Sequence, residues 1–215
     1  MKTLIAIPCH EMVQAMFCKS LLGMRPVGET EYTFVMGSLI YDARNKIAEK
    51  AIKEGFDRTI WFDSDMVFQP DTIERIQARM DDGLDLVSGL YFSRKPPYNP
   101  VVYKELAMVE VSNGKIPDAV PYDDYPQEPF EIAACGFGCC GVTVDLLKKV
   151  RDKFGLPFSP IMGFGEDLSF CLRVADLGVK MFCDPTIKAD HIGYCAISEE
   201  HFFWEKAQRL GEKNE

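Results

Sequence analysis

The stretch Arg58-Thr59-Ile60-Trp61-Phe62-Asp63-Ser64-Asp65 is a short apolar run that stops abruptly at two carboxylates one residue apart. Thr59 to Phe62 reads as a buried strand, and a strand alternates its side chains from face to face. Carried past Phe62, that alternation puts Asp63 and Asp65 on one side and turns Ser64 away. Paired negative charges at the end of an interior strand are costly unless water or a cation neutralises them. A hard divalent ion with oxygen ligands suits the pair. The plainer alternative is a solvated strand-to-loop turn whose aspartates cap the next helix.

The flanking sequence places this strand in an alternating series. Leu4 to Ile7 reads as a buried strand, Met12 to Leu22 as a helix, and Tyr32 to Met36 as a second strand. Between Tyr41 and Gly55, Ile47, Ala48, Ala51 and Ile52 fall on one helical face, and Gly55 is the stop. Beyond the aspartates, Pro70 opens a helix running to Met80, with Gly83 past its end, and Leu84 to Phe92 supplies another strand. Such alternation predicts an α/β fold, a mainly parallel Rossmann-like sheet flanked by helices. Ligands of such sheets bind at the carboxyl ends of the strands. Pro8-Cys9-His10 and Asp63-Ser64-Asp65 both stand there and are expected to line one crevice.

Residues 93–131 are rich in proline and aromatics, with Asn113-Gly114 marking a hairpin, and are expected to form an insertion or lid. Helices follow at Leu146 to Phe154, Glu166 to Leu177 and Glu199 to Leu210, with a strand at Val179 to Cys183. A chain of 215 residues, 47% hydrophobic and 27% charged, can build one core without a metal or disulfide staple, so a single domain is expected. The net charge of -9 and the absence of a basic run argue against a nucleic-acid partner. An anionic ligand would need local help from a metal ion or from residues such as Arg44, Arg94, Lys95 or Lys188.

The eight cysteines are scattered and lack metal-binding spacing, which argues for buried free thiols. Thr3 to Ile7 is too short for a signal peptide, and no stretch is apolar enough for an integral membrane segment, so a cytoplasmic location is expected.

A second acidic pair, Glu166-Asp167, follows Gly163-Phe164-Gly165. Acids in the first turn of a helix suit its dipole, which is a structural explanation. At the mouth of a crevice, a carboxylate can instead take the proton of an attacking hydroxyl, and partial burial adjusts its pKa for that work. His191, in Asp190-His191-Ile192-Gly193, is either a metal ligand or an ordinary hydrogen-bonded histidine. Gly136-Phe137-Gly138-Cys139-Cys140-Gly141 matches the letters of a dinucleotide fingerprint, but it lies late in the chain and opens no helix.

The order of these motifs, from Asp63-Ser64-Asp65 through the glycine-rich segment, Gly165-Glu166-Asp167-Leu168-Ser169-Phe170, Asp184-Pro185 and His191-Ile192-Gly193, resembles family-2-type glycosyltransferases of the glycosyltransferase-A fold. The match runs from Thr3 to about Gly193. It implies a metal-dependent, inverting transfer of a sugar from a nucleotide-diphosphate donor, UDP-sugar favoured and GDP-sugar the alternative, to a glycan, lipid or protein acceptor.

Carried over residue by residue, it makes Asp65 and His191 ligands of Mn2+ or Mg2+ and Asp63 a metal or ribose contact. It makes Asp167 the base for the acceptor hydroxyl, with Glu166 helping to hold the acceptor. Pro8, Cys9, His10, Arg44, Asn45 and Ser64 fall to the nucleotide side, and Gly136 and Gly138 to the loop near the donor sugar. The same resemblance divides the chain into a nucleotide-sugar half at 1–92, a lid at 93–131, an acceptor half at 132–197 and a C-terminal helix at 198–215. Two other readings share the architecture: a non-catalytic glycan- or nucleotide-binding module, and a nucleotidyltransferase. The second usually has a glycine-rich phosphate loop with a basic residue after the first strand, which Pro8-Cys9-His10-Glu11-Met12 lacks.

Overall fold

The computed structural model describes residues 1–37, 39–112, 114–161, 163–193 and 196–211. Asn113 of the expected hairpin turn and Cys195 lie outside the described residues. In chain order the first half runs β1 (Lys2–Cys9), α1 (Ala15–Gly23), β2 (Glu29–Met36), α2 (Ile40–Lys53), β3 (Arg58–Phe62), β4 (Met66–Phe68), α3 (Thr72–Asp81) and β5 (Leu86–Leu90). There follow β6 (Val102–Val111), β7 (Gly114–Pro121), β8 (Phe130–Ile132), β9 (Ala134–Cys135) and β10 (Cys139–Thr143). The chain continues through α4 (Val144–Phe154), α5 (Glu166–Asp176), β11 (Met181–Ile192), β12 (Ala196–Ile197) and α6 (Glu199–Gly211).

The main sheet has the order β12-β11-β5-β10-β3-β1-β2, with β4 and β8 also paired to β11. β1 is parallel to β2 and β3, and β11 is parallel to β5, while β10 runs antiparallel between β3 and β5. The expected mainly parallel α/β sheet is therefore present, with one reversed strand at its centre. Both of its faces are covered, so inward strands are apolar on both sides. Leu4, Ala6 and Trp61 pack with α2, α4 and α5 on one face, whereas Ile5, Ile7, Ile60 and Phe62 pack with α1 and α3 on the other.

Local chemistry sets the element ends. Gly55, just past α2, has φ +69°, a backbone state that costs glycine least. The Thr143 hydroxyl caps α4 by accepting from the Leu146 N–H at 3.3 Å. The region 93–131 is a β6–β7 hairpin attached through β9, and Pro117 on it rests against Gly163. β11 is longer than the expected Val179–Cys183 strand. Its register shifts between Asp184 and Lys188 around Pro185, which cannot donate to a ladder, and it then continues to Ile192. Among the described residues, no helix is long and apolar enough to cross a membrane, and the described cysteines are free thiols.

Candidate functional site

The carboxyl ends of β1 and β3, with Arg94 from the loop after β5, open on one cavity of about 730 Å³. Its lining includes Pro8, Cys9, His10, Asp63, Ser64, Asp65 and Arg94, so the two strand ends expected to share a crevice do share one. Reversal of β10 brings its leading loop to the same end: Cys139 pairs with Phe62, and the Asp63 N–H donates to the Gly138 carbonyl at 3.3 Å. β3 stops at Phe62, so strand alternation does not carry through the two aspartates, and they take different partners.

Asp63 accepts from Arg44 Nη2 at 2.8 Å, and Arg44 Nε donates to Glu166 Oε1 at 3.1 Å. Arg44 is 2% exposed, and its guanidinium carbon lies over the Phe137 and Trp61 rings at 5.4 and 5.9 Å. One buried cation thus joins both acidic motifs. Burial opposes its charge, yet Asp63, Glu166 and Asp167 together push its pKa up. Asp63 itself is pushed above the ordinary aspartate range by burial, against the pull of Arg44. Asp167 is also pushed up, to about 6, first by burial and then by the Glu166 charge. Its Oδ1 accepts the Leu168 N–H at 2.7 Å.

Asp65 faces a different set. Its Oδ2 receives Arg94 Nη1 at 2.6 Å and lies 3.4 Å from His191 Nε2. β4 sets this meeting: it pairs antiparallel with β11, matching His191 to Met66, and the Ile192 N–H donates to the Asp65 carbonyl at 2.7 Å. Burial pushes Asp65 up, but His191 and Arg94 outweigh it and hold the carboxyl below its usual range. His191 Nδ1 is 3.0 Å from the Phe92 carbonyl, which can only accept, so that nitrogen carries a proton and leaves Nε2 for the carboxylate side.

In the neutral ring, a lone pair and a carboxylate oxygen then face one another, a donor set that a cation completes. Among the described residues, no group of three or more His, Cys, Asp or Glu side chains is gathered as a cage. The set fits a divalent ion held by two protein ligands, with the rest of its shell open to oxygens from outside the chain.

Not every expected site residue lines the cavity: Arg44 and His191 reach its aspartates from outside the lining, Glu166 meets Asp63 through Arg44, and Asp167 stands next to Glu166. Asn45 turns the other way, and its Oδ1 accepts the Phe158 N–H at 2.9 Å, bracing the segment after α4. Gly136 and Gly138 make room for Tyr91. A Cβ on Gly136 would stand 2.1 Å from the Tyr91 hydroxyl, which accepts the Gly138 N–H at 3.1 Å. Tyr91 was not singled out from the sequence. It is buried, its ring meets that of His191 edge-on at 5.8 Å, and its place at the carboxyl end of a strand was the available signal.

No family model matches the chain, and no curated protein matches it. Solved structures do. A197 from STIV aligns over 94% of this chain and 92% of its own, with TM-score 0.66 and 20% identity. GalNAc-T7, solved with UDP, GalNAc and Mn2+, aligns over 95% of this chain but 47% of its own, with TM-score 0.60 and 11% identity. These likenesses identify the glycosyltransferase-A fold.

Proposed function

We propose that this chain is a metal-dependent glycosyltransferase resembling family 2, moving a sugar with inversion from a nucleotide-diphosphate sugar to an acceptor hydroxyl. The observation that carries this reading is the Arg44 bridge, which ties the Asp63-Ser64-Asp65 turn to the Glu166-Asp167 pair and so links a donor site to a base. The fold neighbour solved with UDP, GalNAc and Mn2+ supports the donor class.

Asp65 and His191 would hold the Mn2+ or Mg2+ ion, which supplies a Lewis acid for the leaving diphosphate. The chain's own residues do the remaining work. The cavity beside Pro8, Cys9 and His10 receives the nucleotide, and Arg44 keeps Asp63 and Glu166 in place without adding net negative charge. Asp167 accepts the proton of the acceptor hydroxyl as that oxygen attacks. A carboxylate with a pKa of about 6 suits this step, being ionised at neutral pH yet more basic than an exposed aspartate.

The test is a thermal-shift panel of UDP, GDP, CDP and their sugar conjugates, with and without manganese, alongside Asp65→Ala. A ligand that binds the native state raises its apparent stability by mass action. We expect a manganese-dependent upward shift for one nucleotide, abolished in the variant. If no nucleotide moves the melting curve with metal present, the donor site is absent and the reading fails.

A further inference from the structure

We propose that Arg94 is a resident cation of the donor site, holding Asp65 in the ligand-free protein and passing to the donor's diphosphate when a divalent ion takes that carboxylate. This inference rests on the donor-site reading above and adds a residue to it.

Three observations lead to it. First, Arg94 and His191 address the same atom, Asp65 Oδ2, at 2.6 and 3.4 Å. A metal ion coordinated by this carboxylate would compete with the guanidinium for that oxygen, so Arg94 and the ion are alternative partners. Second, Arg94 is free to leave without unfolding anything. Its side chain is 52% exposed and lines the cavity. The loop beneath it is pinned at both ends, by the Ser93 N–H on the Asn99 carbonyl at 2.8 Å and the Val101 N–H on the Tyr91 carbonyl at 2.9 Å. The side chain can therefore swing while the backbone stays.

The third observation is charge. In a chain of net charge -9, the site gathers Asp63, Asp65, Glu166 and Asp167, and Arg44 is already committed to Asp63 and Glu166. Against the charge of Asp65 and the two charges of a sugar-linked diphosphate, a single divalent ion leaves one negative charge uncompensated. Arg94, released from Asp65, supplies the missing charge in a form whose fork geometry matches phosphate oxygens.

The two roles predict effects of opposite sign in one variant. Arg94→Ala removes a competitor for Asp65, so manganese alone, titrated by the loss of its free-ion electron paramagnetic resonance signal, should bind about two- to fivefold tighter, the range of an exposed ion pair. At saturating manganese, the same variant should bind the nucleoside diphosphate selected by the panel about tenfold more weakly by calorimetry, the loss of a charge-assisted hydrogen bond. Arg94→Lys, which keeps the charge but not the fork, should fall between the parent and the alanine variant in nucleotide affinity. Unchanged or weaker manganese binding in Arg94→Ala would overturn the proposal, as would nucleotide affinity equal to the parent's. A parent protein that binds manganese but none of UDP, GDP or CDP would instead overturn the donor-site reading.

Discussion

Asp167 shows how a residue's surroundings select its chemistry. It stands in the first turn of α5, where the helix dipole favours its ionised form, yet burial and the adjacent Glu166 charge raise its pKa to about 6. As the proposed base, it must be deprotonated to act. Turnover should therefore rise with pH through about 6 and level off above it. Asp167→Asn should lower the turnover rate by about 10²- to 10⁴-fold, the usual span of general-base catalysis, while leaving the nucleotide-dependent melting shift in place.

Stability has the opposite sign. A carboxyl whose pKa is raised by folding takes up a proton when the chain folds. Its stabilising contribution is full below the unfolded aspartate value of about 4 and is lost as pH rises through about 6. The asparagine variant should thus melt no lower than the parent at pH 8, and a clearly lower melting temperature there would refute this account of Asp167.

At the scale of elements, the turn between β9 and β10 depends on the end of β5. A methyl group on Gly136 would meet the Tyr91 hydroxyl at 2.1 Å and Val101 Cγ1 at 2.8 Å, contacts that no Cβ sustains unless something shifts. Gly136→Ala should cost about 1–3 kcal/mol in a urea melt, as overpacked core sites do. Tyr91→Phe removes the clashing oxygen at the loss of its bond with the Gly138 N–H, so the double variant should be more stable than the sum of the two single losses. Simple additivity would mean that Tyr91 is not what requires glycine there.

Sequence reading reached some of these elements and missed others for a physical reason. α2 and α3 were legible because one apolar face repeats at helical spacing and glycine stands past each end. β10 is buried on both faces, so Cys139 to Thr143 shows no alternation to read. β4 is three residues long, too short for any period. The acidic motifs were visible as residue types, but the partner each aspartate takes depends on Arg44, Arg94 and His191. These arrive from α2, the loop after β5 and β11, and no local pattern specifies such meetings.

The whole molecule separates two tasks. The carboxyl ends of β1 and β3 bear the cavity, while the hairpin of β6 and β7 stands apart in its own small sheet and touches the Gly163 turn that leads into Glu166 and Asp167. On the function proposed above, the first would bind the donor and the second would enclose the acceptor. Ala107 and Asp118 face each other across the hairpin, so an Asn-Gly turn joining them would replace residues 108–117 without disturbing the pairing of β6 with β9. Much of the removed segment is exposed or half-buried, so the shortened chain should melt close to the parent. Its manganese-dependent nucleotide shift should persist, because among the described residues none of 108–117 lines the proposed donor cavity. Transfer to acceptor should fall, because Pro117 no longer stands beside the Gly163 turn. Loss of the nucleotide shift in an otherwise folded variant would instead place the hairpin in the donor site and undo this division.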